Sequence, residues 1–246
     1  MNWQDELDDL QYHVIRDYNY NSLFKDVQYE DKVLTREERI GYAHVVDETI
    51  TEFKSGLPLV IETLERDKKR NDEFGIISNT VESLFLFTTL TMMDYLVASK
   101  YFILAEQDYD KRFMRGKLLV ILNEGYKKLY GFDDKTFKKS EWAKIGPLME
   151  HFPPIIHNQY SVLDSLLKQR SESSTWWRDE RNYETHIEAE KLYYSRNEEI
   201  KEAKVMMEAL KLYNALLAVH DFLTNVNACL VNTLINAYHR GELTEE

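Results

Sequence analysis

The sequence predicts an all-α fold, an antiparallel bundle of long helices with an N-terminal helical extension. Three observations predict it. Breaks are scarce, with eight Gly and four Pro in 246 residues, so helices have room to run. Apolar residues recur at spacings of three and four, and no segment shows the strict alternation of a half-buried strand. Hydrophobic residues at 43% and charged residues at 30% make an ordinary globular composition, so the helices have a core to bury.

Taken in order, a short amphipathic segment covers about Asp5 to Asp17, and a polar stretch rich in Tyr and Asn follows. Thr35-Arg36-Glu37-Glu38 has the spacing of a capping box, which satisfies free backbone N–H groups reciprocally. The helix it opens runs to about Arg70, with a kink expected at Gly56-Leu57-Pro58. Asn71 or Asp72 caps the next helix, to about Glu106, whose middle from Leu84 to Met93 is apolar nearly all round. Another helix spans roughly Asp110 to Tyr130 and stops at Gly131.

Residues 132–154 form the main break, with Asp133-Asp134, Gly146-Pro147 and Pro153-Pro154, and a short helix is expected over Lys139 to Ile145. Ile155 to Arg170 is helical again, and Ser171-Glu172-Ser173-Ser174 reads as a polar loop. In the last segment Leu212, Leu216, Val219, Leu223, Val226 and Leu230 form one apolar stripe, with Leu210, Tyr213 and Leu217 beside it. Two stripes give a wide face that packs against several neighbours. The residues from Trp176 to Arg240 fit two helices, the second capped by Ser195-x-x-Glu198, or one uninterrupted helix. Residues 1–70 are assigned to the extension and 71–246 to the bundle, a single domain being the alternative.

A net charge of −12 makes the chain a poor generic binder of nucleic acid or membrane surfaces. Cys229 stands alone, which excludes an intrachain disulfide framework and suits a reducing interior. The first residues carry neither a basic region nor an apolar run of the signal-peptide kind. The uncharged run from Ser83 to Met93 is ended by Asp94, short of the ~20 apolar residues that span a bilayer. The expected location is cytoplasmic, without membrane.

One string carries chemistry. Arg181-Asn182-Tyr183-Glu184-Thr185-His186 lies near the start of an expected helix, where Arg178, Arg181, Asn182, Thr185 and His186 share one polar face. Arginine offers a permanent cation and a planar fork to phosphate oxygens. Histidine titrates near neutrality and moves protons. In RNA the 2′-hydroxyl beside each phosphate is a built-in nucleophile, so these two side chains suffice for cleavage without a metal.

This Arg-polar-x-x-x-His string, in a late helix of a helical bundle, resembles the motif of the HEPN superfamily (higher eukaryotes and prokaryotes nucleotide-binding). The resemblance implies a metal-independent endoribonuclease of a bacterial toxin or defence system, with no cofactor. It implies a homodimer whose motif helices form one RNA-cleaving cleft. Arg181 and His186 would be catalytic, and Arg178 and Asn182 would bind RNA. The alternative is a non-catalytic helical interaction or scaffold protein whose acidic surface takes a protein partner.

A second string, Arg39-Ile40-Gly41-Tyr42-Ala43-His44, has the spacing but an apolar residue after the arginine, and serves as an internal contrast. No His has a Glu three residues before it, unlike the Glu-x-x-His pairs of di-iron bundles. His151 and His157 read as loop residues, and Asp94 and His220-Asp221 as structural polar groups. Cys229 and the pairs Met92-Met93 and Met206-Met207 read as core filler. Lys127, Lys128, Lys135, Lys138 and Lys139 alternate with Tyr130, Phe132, Phe137 and Trp142, a pattern shared by single-strand binders and by solvated turns.

Overall fold

The computed structural model describes residues 15–25, 34–70, 72–173 and 202–240. Among these the protein is an all-α bundle without strands.

The capping box forms as the sequence predicts. Thr35 Oγ1 accepts from the Glu38 N–H at 3.2 Å, and the Thr35 N–H donates to Glu38 Oε2 at 2.8 Å. Helix α2 (Arg36–Asp67) starts there and continues helically through Pro58, which is exposed, so the carbonyl left without a donor can turn to water. Ahead of it, helix α1 (Tyr20–Leu23) is a single turn whose Tyr20 is buried. Asp72 caps helix α3 (Glu73–Leu104), its Oδ1 accepting from the Gly75 N–H at 2.8 Å. The short connection forces α2 and α3 into a hairpin. Tyr42 OH to Ser99 Oγ (2.8 Å) and Lys100 Nζ to Asp47 Oδ1 (2.6 Å) tie the pair at its open end.

Helix α4 (Asp108–Leu129) stops at Gly131, whose φ of +84° suits a residue without a Cβ. A Cβ on Gly125 would lie 2.7 Å from Leu212 Cδ2, so this glycine lets the last helix approach closely. Beyond Gly131 come helix α5 (Asp134–Phe137) and two 3₁₀ turns, Trp142–Lys144 and Gly146–His151, in place of the single short helix expected over 139–145. Helix α6 (Pro154–Ser173) includes Ser171, which the sequence placed in a loop. Ser171 is buried and its hydroxyl donates to the Lys168 carbonyl, a local bond that keeps it helical.

Helix α7 (Glu202–His239) is the spine of the core. Leu212, Leu216, Val219, Leu223 and Val226 are fully buried, and Leu230 nearly so. The second stripe is less enclosed, with Leu210 at the surface. Helix α3 packs on α2, α4 and α7, and α7 also meets α4, α6 and α1. Trp142 plugs the end of the core, stacked on Tyr160 and edge-on to Phe222, with Nε1 donating to Asp164 Oδ1 at 2.9 Å.

Residues 15–17, expected to be helical, are not. The Arg16 N–H donates to Asn225 Oδ1 (2.9 Å), and its carbonyl accepts from Asn225 Nδ2 (2.8 Å) and Gln159 Nε2 (2.9 Å). A backbone whose N–H and C=O are both taken by side chains has no helix to join. Nearby, Arg170 donates to the Phe24 carbonyl and lies over its ring.

Candidate functional site

Arg178, Arg181, Asn182 and His186 lie outside the described residues, between the end of α6 and the start of α7. So does Ser195-x-x-Glu198, and with it the choice between one helix and two. The contrast string is described. Arg39 Nε donates to the Leu34 carbonyl at 3.2 Å, and His44 is exposed beside Glu48 at 3.4 Å. Both side chains of that string are used locally.

A different feature is built by the fold. Helices α2, α3 and α7 leave a groove of about 520 Å³ between them. Leu59 and Val60 form one wall, Phe74 and Phe85 a second, Leu230 and Leu234 the third. At its polar end Asn227 Nδ2 donates to Glu82 Oε1 at 3.0 Å. Burial pushes the Glu82 carboxyl up to about 7; nearby Asp67 adds to the rise, while the Asn227 bond and Arg66 oppose it. Asp67, almost fully buried, is better provided for: Ser78 Oγ donates to it at 2.5 Å and Arg66 Nε at 3.1 Å. A smaller cavity of about 200 Å³ shares Gly56, Val60 and Phe85 with the groove and reaches His220. The His220 ring packs on Phe85 at 4.2 Å, and burial lowers its pKa to about 4, so it is neutral at pH 7.

Glu82 went unnoticed in the sequence. Its one local signal is position: an acidic residue between Val81 and Leu84 at the edge of the apolar run. Its partner Asn227 is 145 residues away, beyond the reach of any spacing rule.

The other singled-out residues take ordinary places. Asp94 is exposed on the outer face of α3, its pKa raised by partial desolvation. Cys229 is buried, and burial pushes its thiol up to about 12, which makes it inert. Asp221 has Arg16 as its charged neighbour, and nothing joins it to His220. In the basic run Trp142 and Tyr130 are buried and Phe137 packs on the Tyr130 ring at 4.8 Å, so these rings serve the core while the lysines face water. His151 sits beside Glu73 (3.4 Å) and Glu150 (3.6 Å). Among the described residues no group of three or more His, Cys, Asp or Glu side chains is arranged to hold a metal. Helix α3 is long and apolar enough to cross a membrane by length and composition, although Asp94 lies within it; 44% of its most apolar window is buried in the bundle.

Compared with known proteins, the chain matches no protein-family profile, no curated protein and no solved structure.

Proposed function

We propose that the chain is a HEPN-like, metal-independent endoribonuclease of a bacterial toxin or defence system, working as a cytoplasmic homodimer. One observation carries the reading: Arg181-Asn182-x-x-x-His186 precedes α7, the longest helix among the described residues of an all-helical protein. His186 as base takes the proton of the RNA 2′-hydroxyl, and the freed oxygen attacks the adjacent phosphorus. The bond to the 5′-oxygen breaks, and that oxygen takes a proton from an imidazolium. Arg181 offsets the charge that builds on the phosphoryl oxygens, while Arg178 and Asn182 hold the strand. The products are a 2′,3′-cyclic phosphate and a 5′-hydroxyl.

Purified protein incubated with RNA in excess EDTA tests this. Cleavage should persist, peak near the ordinary histidine pKa of ~6.5, and vanish in His186→Ala and Arg181→Ala. Arg39→Ala and His44→Ala should cleave normally, because both side chains are engaged at the surface of α2. Activity that survives His186→Ala would end the proposal.

A second reading, a non-catalytic interaction protein, is favoured by the outer face of α3, where Leu90, Val97 and Tyr101 are exposed. Loss of a co-purifying partner in Leu90→Glu/Val97→Glu, with the fold intact, would support it.

A further inference from the structure

We propose that the groove between α2, α3 and α7 binds a small amphiphile with a protonated amine head, its ammonium paired with Glu82 and its hydrocarbon body along Leu59, Val60, Leu230 and Leu234. This goes beyond the ribonuclease reading and uses none of its residues.

The size is right: about 520 Å³ falls within the ~300–1,000 Å³ of small-molecule sites. The charge is specific. Three ionisable groups meet at the polar end, Arg66 and Asp67 from α2 and Glu82 from α3, while α7 contributes the neutral Asn227 there. Arg66 Nε and Asp67 Oδ1 are already paired at 3.1 Å, and Ser78 satisfies the other Asp67 oxygen. Glu82 has one amide bond from Asn227, and among the described residues no ion pair reaches it. Glu82 is therefore the carboxyl left without a salt bridge of its own against apolar walls, where an unpaired charge is costly and a cation offsets that cost. An ammonium has three N–H donors. The carboxylate of Glu82 takes one, and the Asn227 side-chain carbonyl and Thr63 hydroxyl, on the same groove, offer acceptors for the others. The groove walls then cover an aliphatic chain.

Burial against the groove walls explains the state of Glu82 in physical terms. Without a cation the carboxyl holds its proton up to about pH 7. With an ammonium beside it the ionised form is favoured and the proton leaves. Binding is thus linked to release of one proton below neutrality.

Isothermal titration of the full chain with n-octylamine, 1-octanol and octanoate is the test. At pH 8 the amine should bind at least tenfold more tightly than the alcohol, and the carboxylate more weakly than either. Glu82→Gln, which keeps the shape and removes the charge, should bring the amine down to the level of the alcohol. At pH 5.5 the amine should lose at least fivefold on the parent protein and nothing on Glu82→Gln. Val231→Trp, which fills the groove from α7, should weaken amine and alcohol alike. Equal binding of amine and alcohol, unchanged amine affinity in Glu82→Gln or in Val231→Trp, or no binding of any of the three would overturn the proposal.

Discussion

Helices α3 and α7 are both long and both rich in apolar residues, yet they are buried in different ways. α7 turns a continuous stripe from Leu212 to Leu230 into the core and buries the polar Asn225, Asn232 and Thr233 along with it. α3 is apolar almost all round, and its outer face shows Leu90, Val97 and Tyr101 to solvent, with Asp94 among them. Composition states how much apolar surface a helix carries, whereas periodicity states where that surface goes. The less patterned helix gathers most of its exposed apolar residues at Leu90, Val97 and Tyr101, whereas those of α7, Leu210, Val231 and Tyr238, are spread along its length.

The largest effect that can break this comparison is a charge in the α7 stripe. Leu216→Asp or Leu223→Asp places an unpaired carboxylate where no water reaches, at a cost of several kcal/mol, about as much as a whole domain can spare. Circular dichroism should show an unfolded or molten chain at 25 °C. A normal melting curve would mean that α7 is not the spine of the core.

Next comes the polar contact that α7 makes. Asn225→Leu removes the amide that holds both polar groups of the Arg16 backbone and should cost ~2 kcal/mol in urea unfolding. The amide of residue 16 should exchange rapidly with solvent in that variant.

The pH dependence sharpens the comparison further, because Glu82 on α3 and His220 on α7 are shifted in opposite directions. On α3 the Glu82 pKa rises from 4.5 to about 7. Its share of stability is complete below the unfolded value and is lost as pH rises through 7. On α7 the His220 pKa falls from 6.5 to about 4, so its share is complete above 6.5 and is lost as pH falls through 4. Glu82→Gln should therefore stabilise at pH 8 by ~2 kcal/mol, discounted for its partial exposure, and change little at pH 4. His220→Phe should flatten the acid limb instead. Melting temperatures across pH 4–8 separate the two.

The smallest effect belongs to the outer face of α3. Leu90→Ser and Val97→Ser should each change stability by no more than about 0.5 kcal/mol in chemical denaturation. A loss of 2 kcal/mol or more would show that this face is as enclosed as the α7 stripe.

What the sequence revealed follows the range of each interaction. The Thr35–Glu38 capping box, the Asp72 cap, the stop at Gly131 and the Leu212–Leu230 stripe are local patterns, and each could be read directly. The helical state of Ser171 and the non-helical state of Arg16 were misread, because burial in one case and Asn225 in the other decide them. Glu82 was missed for the same reason, since its partner Asn227 comes from α7, 145 residues beyond it and outside the α2–α3 hairpin that holds it. The Arg181–His186 string was legible as a motif, and its place lies outside the described residues.

The Arg16–Asn225 contact has a consequence for the order of events during synthesis. The two residues are 209 positions apart, so the amide that receives the Arg16 backbone is translated long after it. At ~5–20 residues per second, roughly 10–40 seconds pass before that partner exists. Through that interval the early segment waits without its clasp while α2, α3 and α4 can already pair as neighbours. The clasp closes on helices that have already been made, which makes it a seal on their packing rather than a seed for it.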